Sequence, residues 1–236
     1  MTTKHLLLLP GLLGKYDTWD YLSEEVTTLY QAHYLEFPDY GDASKKGYTL
    51  EDFVQSVVAY IDHNSLNNIT IVGHSIGGAV AMQVAYERKK EISQLVIVSS
   101  AGLPFVIKGL EGLSIRGSGI QSFHKLVESI FYDTSIKEKL SVERAYNDFA
   151  ANNKRRLKGF LKTVRNVKNL DLTSTLKQIK TPSSIIWGEE DNVTPLHLAK
   201  QMVTCLENAE LIVFEECGHA PQLEKPNEFN QFLVSL

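Results

Sequence analysis

The sequence predicts an α/β fold: a mostly parallel central sheet with helices on both faces. Three observations predict it. Short apolar runs alternate with amphipathic stretches along most of the chain. The runs are short, rich in Leu, Ile and Val and bounded by turn residues, as strands buried on both faces are. The 236 residues are 43% hydrophobic and 22% charged, enough to build one large core.

The elements follow in chain order. His5–Leu9 is the first strand, ended by Pro10-Gly11, and His33–Phe37 is the second. Leu50–Ile61 places Phe53, Val54, Val57, Val58 and Ile61 on one face at helical spacing. Ile69–Val72 reads as a strand, Ile76–Tyr86 as a helix and Leu95–Ser99 as a strand. Ser184–Trp187, the helix Leu196–Leu206 and the strand Leu211–Phe214 complete the series. Such alternation argues for parallel strands joined by helical crossovers.

The pattern breaks between Leu103 and Lys180. No strand is evident there, and helical patterns occupy Ile120–Phe131, Val142–Ala151 and Leu157–Val167. Charge changes too. Residues 105–180 hold 15 Lys and Arg against 7 Asp and Glu, a net of +8, while the rest holds 9 against 21, a net of −12. We therefore expect a core built from residues 1–104 and 181–236, interrupted by a helical cap at 105–180. Arg155, Lys158, Lys162 and Arg165 fall near one face of the last cap helix. At the entrance to a site that face would attract anionic substrates; on an ordinary surface it would only meet solvent.

The net charge of −4 suggests neither a nucleic-acid nor a membrane partner. Leu6–Leu9 resembles the start of a signal peptide, but Pro10-Gly11 breaks it and no small-residue cleavage site follows. No run approaches the roughly 20 apolar residues of a membrane span. Cys205 and Cys217 are too few for a disulfide framework, so a reducing, cytoplasmic setting is expected. No feature reports an oligomeric state.

The sharpest local signal is Gly73-His74-Ser75-Ile76-Gly77-Gly78. It is a G-x-S-x-G between a strand and a helix, the setting in which such a serine is a nucleophile. A serine standing above a sheet edge on so tight a turn needs nearly side-chain-free neighbours. The helix that follows favours a developing negative charge at its N-terminus. His74 adjoins the serine and is expected to point away from it and to pack.

With this motif in that setting, the chain resembles the α/β-hydrolase superfamily, in the branch of small esterases and carbon–carbon hydrolases with an inserted helical lid. The resemblance covers nearly the whole chain. It implies a nucleophilic serine, then an acid, then a histidine, in that order. The acid belongs after a late strand, where Glu189-Glu190-Asp191-Asn192-Val193-Thr194-Pro195 follows Gly188. The D-x-V-T-P pattern singles out Asp191. By chemistry alone Glu189 or Glu190 could also hold an imidazole, and the turn could simply cap the helix after Pro195. The histidine belongs after the last strand, where Cys217-Gly218-His219-Ala220-Pro221 stands, continuing to Pro226. His219 would take the proton of Ser75 and return it to the leaving group.

An oxyanion hole needs backbone donors. The resemblance implies the N–H of Ile76, after the nucleophile, and that of Leu12, in the loop Pro10–Gly14. The family usually has His-Gly where this chain has Pro10-Gly11, which puts in question the hydrogen bonding that stiffens the loop. The antiparallel hairpin that often precedes the first strand is also expected to be missing. A serine nucleophile argues against dehalogenase and epoxide-hydrolase chemistry. No H-E-x-x-H, Cys–His cluster or G-x-x-x-x-G-K occurs, so neither metal nor cofactor is expected. Hydrolysis of a small-molecule ester through an acyl-enzyme is the leading expectation. Carbon–carbon hydrolysis of ring-cleavage dienoates is the alternative, although those relatives commonly follow the histidine with Trp rather than Ala220-Pro221. A ligand receptor that keeps the three residues is the second alternative.

Overall fold

A strand covered on both faces sends alternate side chains into two separate cores. In β1 (His5–Leu9), Leu7 and Leu9 enter one core and Leu6 and Leu8 the other. The same division runs through β3 (Ile69–His74), β4 (Ile92–Val98) and β5 (Ser183–Gly188). Ile71, Leu95, Ile97, Ile185 and Trp187 lie on the first side, and Val72, Val96, Val98 and Ile186 on the second. The computed structural model describes residues 3–12, 16–42, 45–105, 125, 128–133, 136 and 154–236.

With β2 (Gln31–Tyr34) and β6 (Ala209–Phe214), these strands form one sheet of order β2-β1-β3-β4-β5-β6. Every neighbouring pair is parallel. The first side is covered by α2 (Leu50–His63), α3 (Ile76–Glu87), α4 (Lys154–Val167), α5 (Thr173–Leu176) and α6 (His197–Cys205). The second is covered by α1 (Glu24–Leu29) through Val26, and by Phe229 and Leu233 of α8 (Pro226–Ser235), which follows the short α7 (Pro221–Glu224). Thr49 and Asp52 close a reciprocal cap at the start of α2, satisfying two of the amides a helix end leaves open.

Several boundaries change: β4 begins at Ile92 rather than Leu95 and β6 at Ala209 rather than Leu211. The second strand is Gln31–Tyr34 rather than His33–Phe37. It is an edge strand, half-exposed and polar, so it lacks an apolar run, and its position is set by pairing with β1 from His5↔Gln31 to Leu8↔Tyr34. The last cap helix begins at Lys154, earlier than its apolar pattern. Val142–Ala151 and most of Ile120–Phe131 lie outside the described residues.

The chain passes from β1 out to the edge at β2, then returns across β1 to β3. The direction of winding therefore reverses between β1 and β3, and a parallel sheet opens a crevice at the C-terminal ends of two such strands. Those ends carry Pro10–Leu12 and Ser75.

Helix α3 lies so close to the sheet that Gly78 is fully enclosed. A Cβ there would stand 2.6 Å from Ser100 Cβ. Alanine in place of a helical glycine ordinarily stabilises by about 1 kcal/mol. Here Gly78→Ala is expected to destabilise by about 1–3 kcal/mol through overpacking, read as a lower urea midpoint.

Candidate active site

Ser75 is the single residue between β3 and α3. Its backbone sits at φ 56°, ψ −119°, which a side chain rarely adopts. The surroundings impose this conformation. Ser75 N–H donates to the Val98 carbonyl (2.9 Å), and its carbonyl accepts from Gly78 N (3.0 Å), Ala101 N (3.1 Å) and Ser100 Oγ (3.0 Å). The flanking glycines are steric necessities. A Cβ on Gly73 would meet Gly78 N at 2.6 Å, and one on Gly77 would meet the Pro10 carbonyl at 2.5 Å. The Ser75 side chain is left half-buried rather than sealed in.

Asp191 and His219 come from the loops after β5 and β6, neighbouring strands of the sheet. His219 Nδ1 lies 2.9 Å from Asp191 Oδ2, and the two side chains are 5% and 0% exposed. Nδ1–H donates to the carboxylate, which leaves Nε2 as the proton acceptor. Asp191 Oδ1 accepts from the backbone N–H of Val193 and Thr194, both at 2.8 Å, and Oδ2 accepts from the Thr194 hydroxyl at 2.7 Å. Burial pushes this carboxyl up, but His219 and the Thr194 bonds outweigh it and hold the group below the ordinary carboxylate range. Thr194 is held in turn by Trp187 Nε1, which donates to its carbonyl at 2.7 Å.

The rival acids stand elsewhere. Glu189 is exposed, and Glu190 accepts from Cys217 N at 2.9 Å, bracing the histidine loop from below. Among the described residues no hydrogen bond joins the Ser75 hydroxyl to the His219 ring. The two loops are linked by His74, whose Nε2–H donates to the His219 carbonyl at 2.8 Å, with ring centroids 4.9 Å apart. His74 thus does more than pack. Apo hydrogen bonds between nucleophile and base are commonly long and tighten with substrate. Ile76, first residue of α3, offers an N–H with no acceptor inside its helix. Gly11 brings the Leu12 loop against the elbow: a Cβ on it would lie 3.3 Å from Ser75 Cβ.

Glu224 stands in the run that follows His219, where nothing local marks its role. Its carboxylate accepts from Gly218 N (2.9 Å) and Ala220 N (3.4 Å), either side of His219. It also accepts from Tyr132 N (2.7 Å) and Asp133 N (3.3 Å). His219 N donates to the Ile130 carbonyl at 2.6 Å, so the segment 128–133 and the histidine loop are joined twice. The basic face of α4 is partly consumed by internal bonds. Arg155 donates to the Gly41 carbonyl and Lys162 to the Lys45 carbonyl, while Lys158 and Arg165 remain exposed. Among the described residues no three His, Cys, Asp or Glu side chains converge as a metal site requires, and no helix is long and apolar enough to cross a membrane.

The sequence pattern of the alpha/beta hydrolase fold family matches residues 4–226. A 2-hydroxy-6-oxo-6-phenylhexa-2,4-dienoate hydrolase of Comamonas testosteroni is 27% identical, with the match covering 76% of this chain and 66% of that protein. The match therefore spans just under two thirds of that relative's length. A pimeloyl-[acyl-carrier protein] methyl ester esterase of Salmonella newport is 25% identical over 98% of this chain and 93% of that protein. In three dimensions, a meta-cleavage product hydrolase from Pseudomonas fluorescens superposes with a TM-score of 0.82 at 20% identity, covering 98% of this chain and 89% of that one, which shows a shared fold.

Burial, reinforced by the neighbouring His219, pushes the His74 imidazole down to about 3. An unfolded histidine titrates near about 6.5. Between those values the unfolded chain binds a proton that the folded one refuses, so stability falls as pH drops through this window. His74→Gln keeps a donor but does not titrate. Its melting temperature is expected to fall less steeply than wild type between about pH 6 and pH 4, measured by calorimetry.

Proposed function

This chain belongs to the alpha/beta hydrolase family, and on that premise we propose that it is a serine hydrolase acting on carboxylic esters of small to medium substrates. Ser75 is the nucleophile, His219 the general base and Asp191 the acid that orients it. The observation that carries the reading is the buried Asp191–His219 pair, set on the same sheet edge as the strained Ser75 turn. His219 Nε2 takes the Ser75 proton as Oγ attacks the ester carbonyl. The N–H groups of Leu12 and Ile76 receive the oxyanion, and Asp191 stabilises the imidazolium. His219 then protonates the departing alkoxide, leaving an acyl-Ser75 ester. A water, deprotonated by the same histidine, repeats the sequence and frees the acid. The reading calls on no metal or cofactor, and it assigns the choice of acyl group to residues 105–180, the expected cap.

Two features favour an ester over a carbon–carbon bond. His219 is followed by Ala220-Pro221 rather than Trp, and the match to the methyl ester esterase runs nearly the full length of both chains. The ring-cleavage relative supports carbon–carbon hydrolysis as the second reading. A panel of esters from acetyl to octanoyl, run beside a ring-cleavage dienoate, separates the two, and turnover of either separates an enzyme from a receptor.

Ser75→Ala is expected to lower kcat on p-nitrophenyl butyrate by up to about 10⁶-fold with an unchanged circular dichroism spectrum. Near wild-type turnover by that variant would overturn the assignment. Asp191→Asn is expected to cost roughly 10⁴ in kcat by stranding the imidazole in the wrong tautomer. Glu189→Gln should cost little, and steady-state kinetics on the two variants side by side checks the difference.

A further inference from the structure

Leu12 offers its N–H from a loop whose direction depends on the peptide planes around it. On the N-terminal side Pro10 has no N–H with which to anchor the loop. On the other side the Leu12 carbonyl accepts a hydrogen bond of 2.9 Å from the Tyr40 hydroxyl. Tyr40 is 5% exposed, and burial holds its phenol far above the ordinary range, so the O–H stays a donor at any working pH.

The ring that carries this hydroxyl is immobilised by α4. Phe160 meets it edge-on, with centroids 5.5 Å apart at 83°. The residues around it are tied to the same helix. Arg156 pairs with Asp39 at 3.1 Å, and Arg155 Nε donates to the Gly41 carbonyl at 2.8 Å. Further along the loop, Tyr48 N–H donates to Thr163 Oγ1 and the Asn166 amide donates to the Tyr48 carbonyl, both at 2.9 Å. A segment fastened on both sides of Tyr40 holds its hydroxyl in one place.

We propose that Tyr40 is a positioning residue of the oxyanion hole: its hydroxyl anchors the Leu12 carbonyl, one peptide plane beyond the plane that carries the Leu12 N–H, and by restraining Leu12 from that side keeps its N–H aimed at the space above Ser75. The inference rests on the ester-hydrolase reading above. Tyr40 touches no reacting atom; it acts through Leu12. It takes over the stiffening of a loop that begins with proline, and it makes α4 a mechanical support of the donor.

Tyr40→Phe removes the hydroxyl and keeps the ring contacts. With p-nitrophenyl butyrate, kcat is expected to fall about tenfold to a hundredfold with KM within about twofold, since a donor misaimed by a fraction of an ångström fails chiefly in the transition state. Affinity for a phenylboronic acid, which forms a tetrahedral adduct on the serine, should fall by the same factor as kcat/KM. The melting temperature should change little. Unchanged kcat and boronate affinity, with Ser75→Ala inactive, would overturn the role of Tyr40 alone. A loss of kcat without a matching loss of boronate affinity would assign Tyr40 to the scaffold and overturn it equally. Full activity in Ser75→Ala would instead bring down the hydrolase reading on which the proposal stands.

Discussion

A strand that hands over to a helix through one residue sets the terms for this molecule. Ser75 holds a backbone conformation that costs on the order of 1–3 kcal/mol, and only over-determined surroundings keep a residue there. Four hydrogen bonds, one donated to Val98 and three accepted from Gly78, Ser100 and Ala101, supply that constraint. The close approach that makes them possible is why Gly73, Gly77 and Gly78 carry no side chain. It also brings the β1 loop beneath Gly77, so the elbow and the loop bearing Leu12 are packed as one unit.

The second requirement is electrostatic. A carboxylate with a fully buried side chain is tolerated only when each oxygen is hydrogen-bonded. Asp191 meets this with Val193, Thr194 and His219. A second imidazole lies 4.9 Å from the first, and two cations at that distance would repel strongly. Burial keeps His74 neutral, so it can bind the His219 backbone without competing for its proton.

The legible parts of the sequence were those whose physics is local. Interior strands declare themselves because burial on both faces forces continuous apolar runs, and the elbow declares itself because its geometry forces glycine. The edge strand β2 starts two residues before the expected His33, since one exposed side removes the apolar signal. Glu190 and Asp191 could not be told apart from chemistry one residue apart. In the structure Asp191 meets the imidazole and Glu190 meets the Cys217 amide. Thr194 and Glu224 stand inside the motifs, but their roles, like that of Tyr40, are not legible there, because their partners are remote or depend on how the loops turn: Tyr132 is 92 positions from Glu224 and Leu12 is 28 from Tyr40. The basic pattern of α4 was visible, but its use on the carbonyls of Gly41 and Lys45 was not.

The fourfold grip of Glu224 is a joint made wholly with the main chain. One carboxylate binds backbone amides on both sides of His219 and two amides of segment 128–133. Because every partner is a main-chain N–H, the joint is indifferent to the side chains that segment carries. A change of side chain in segment 128–133 therefore leaves this joint, and the backbone on either side of the histidine, with the same partners.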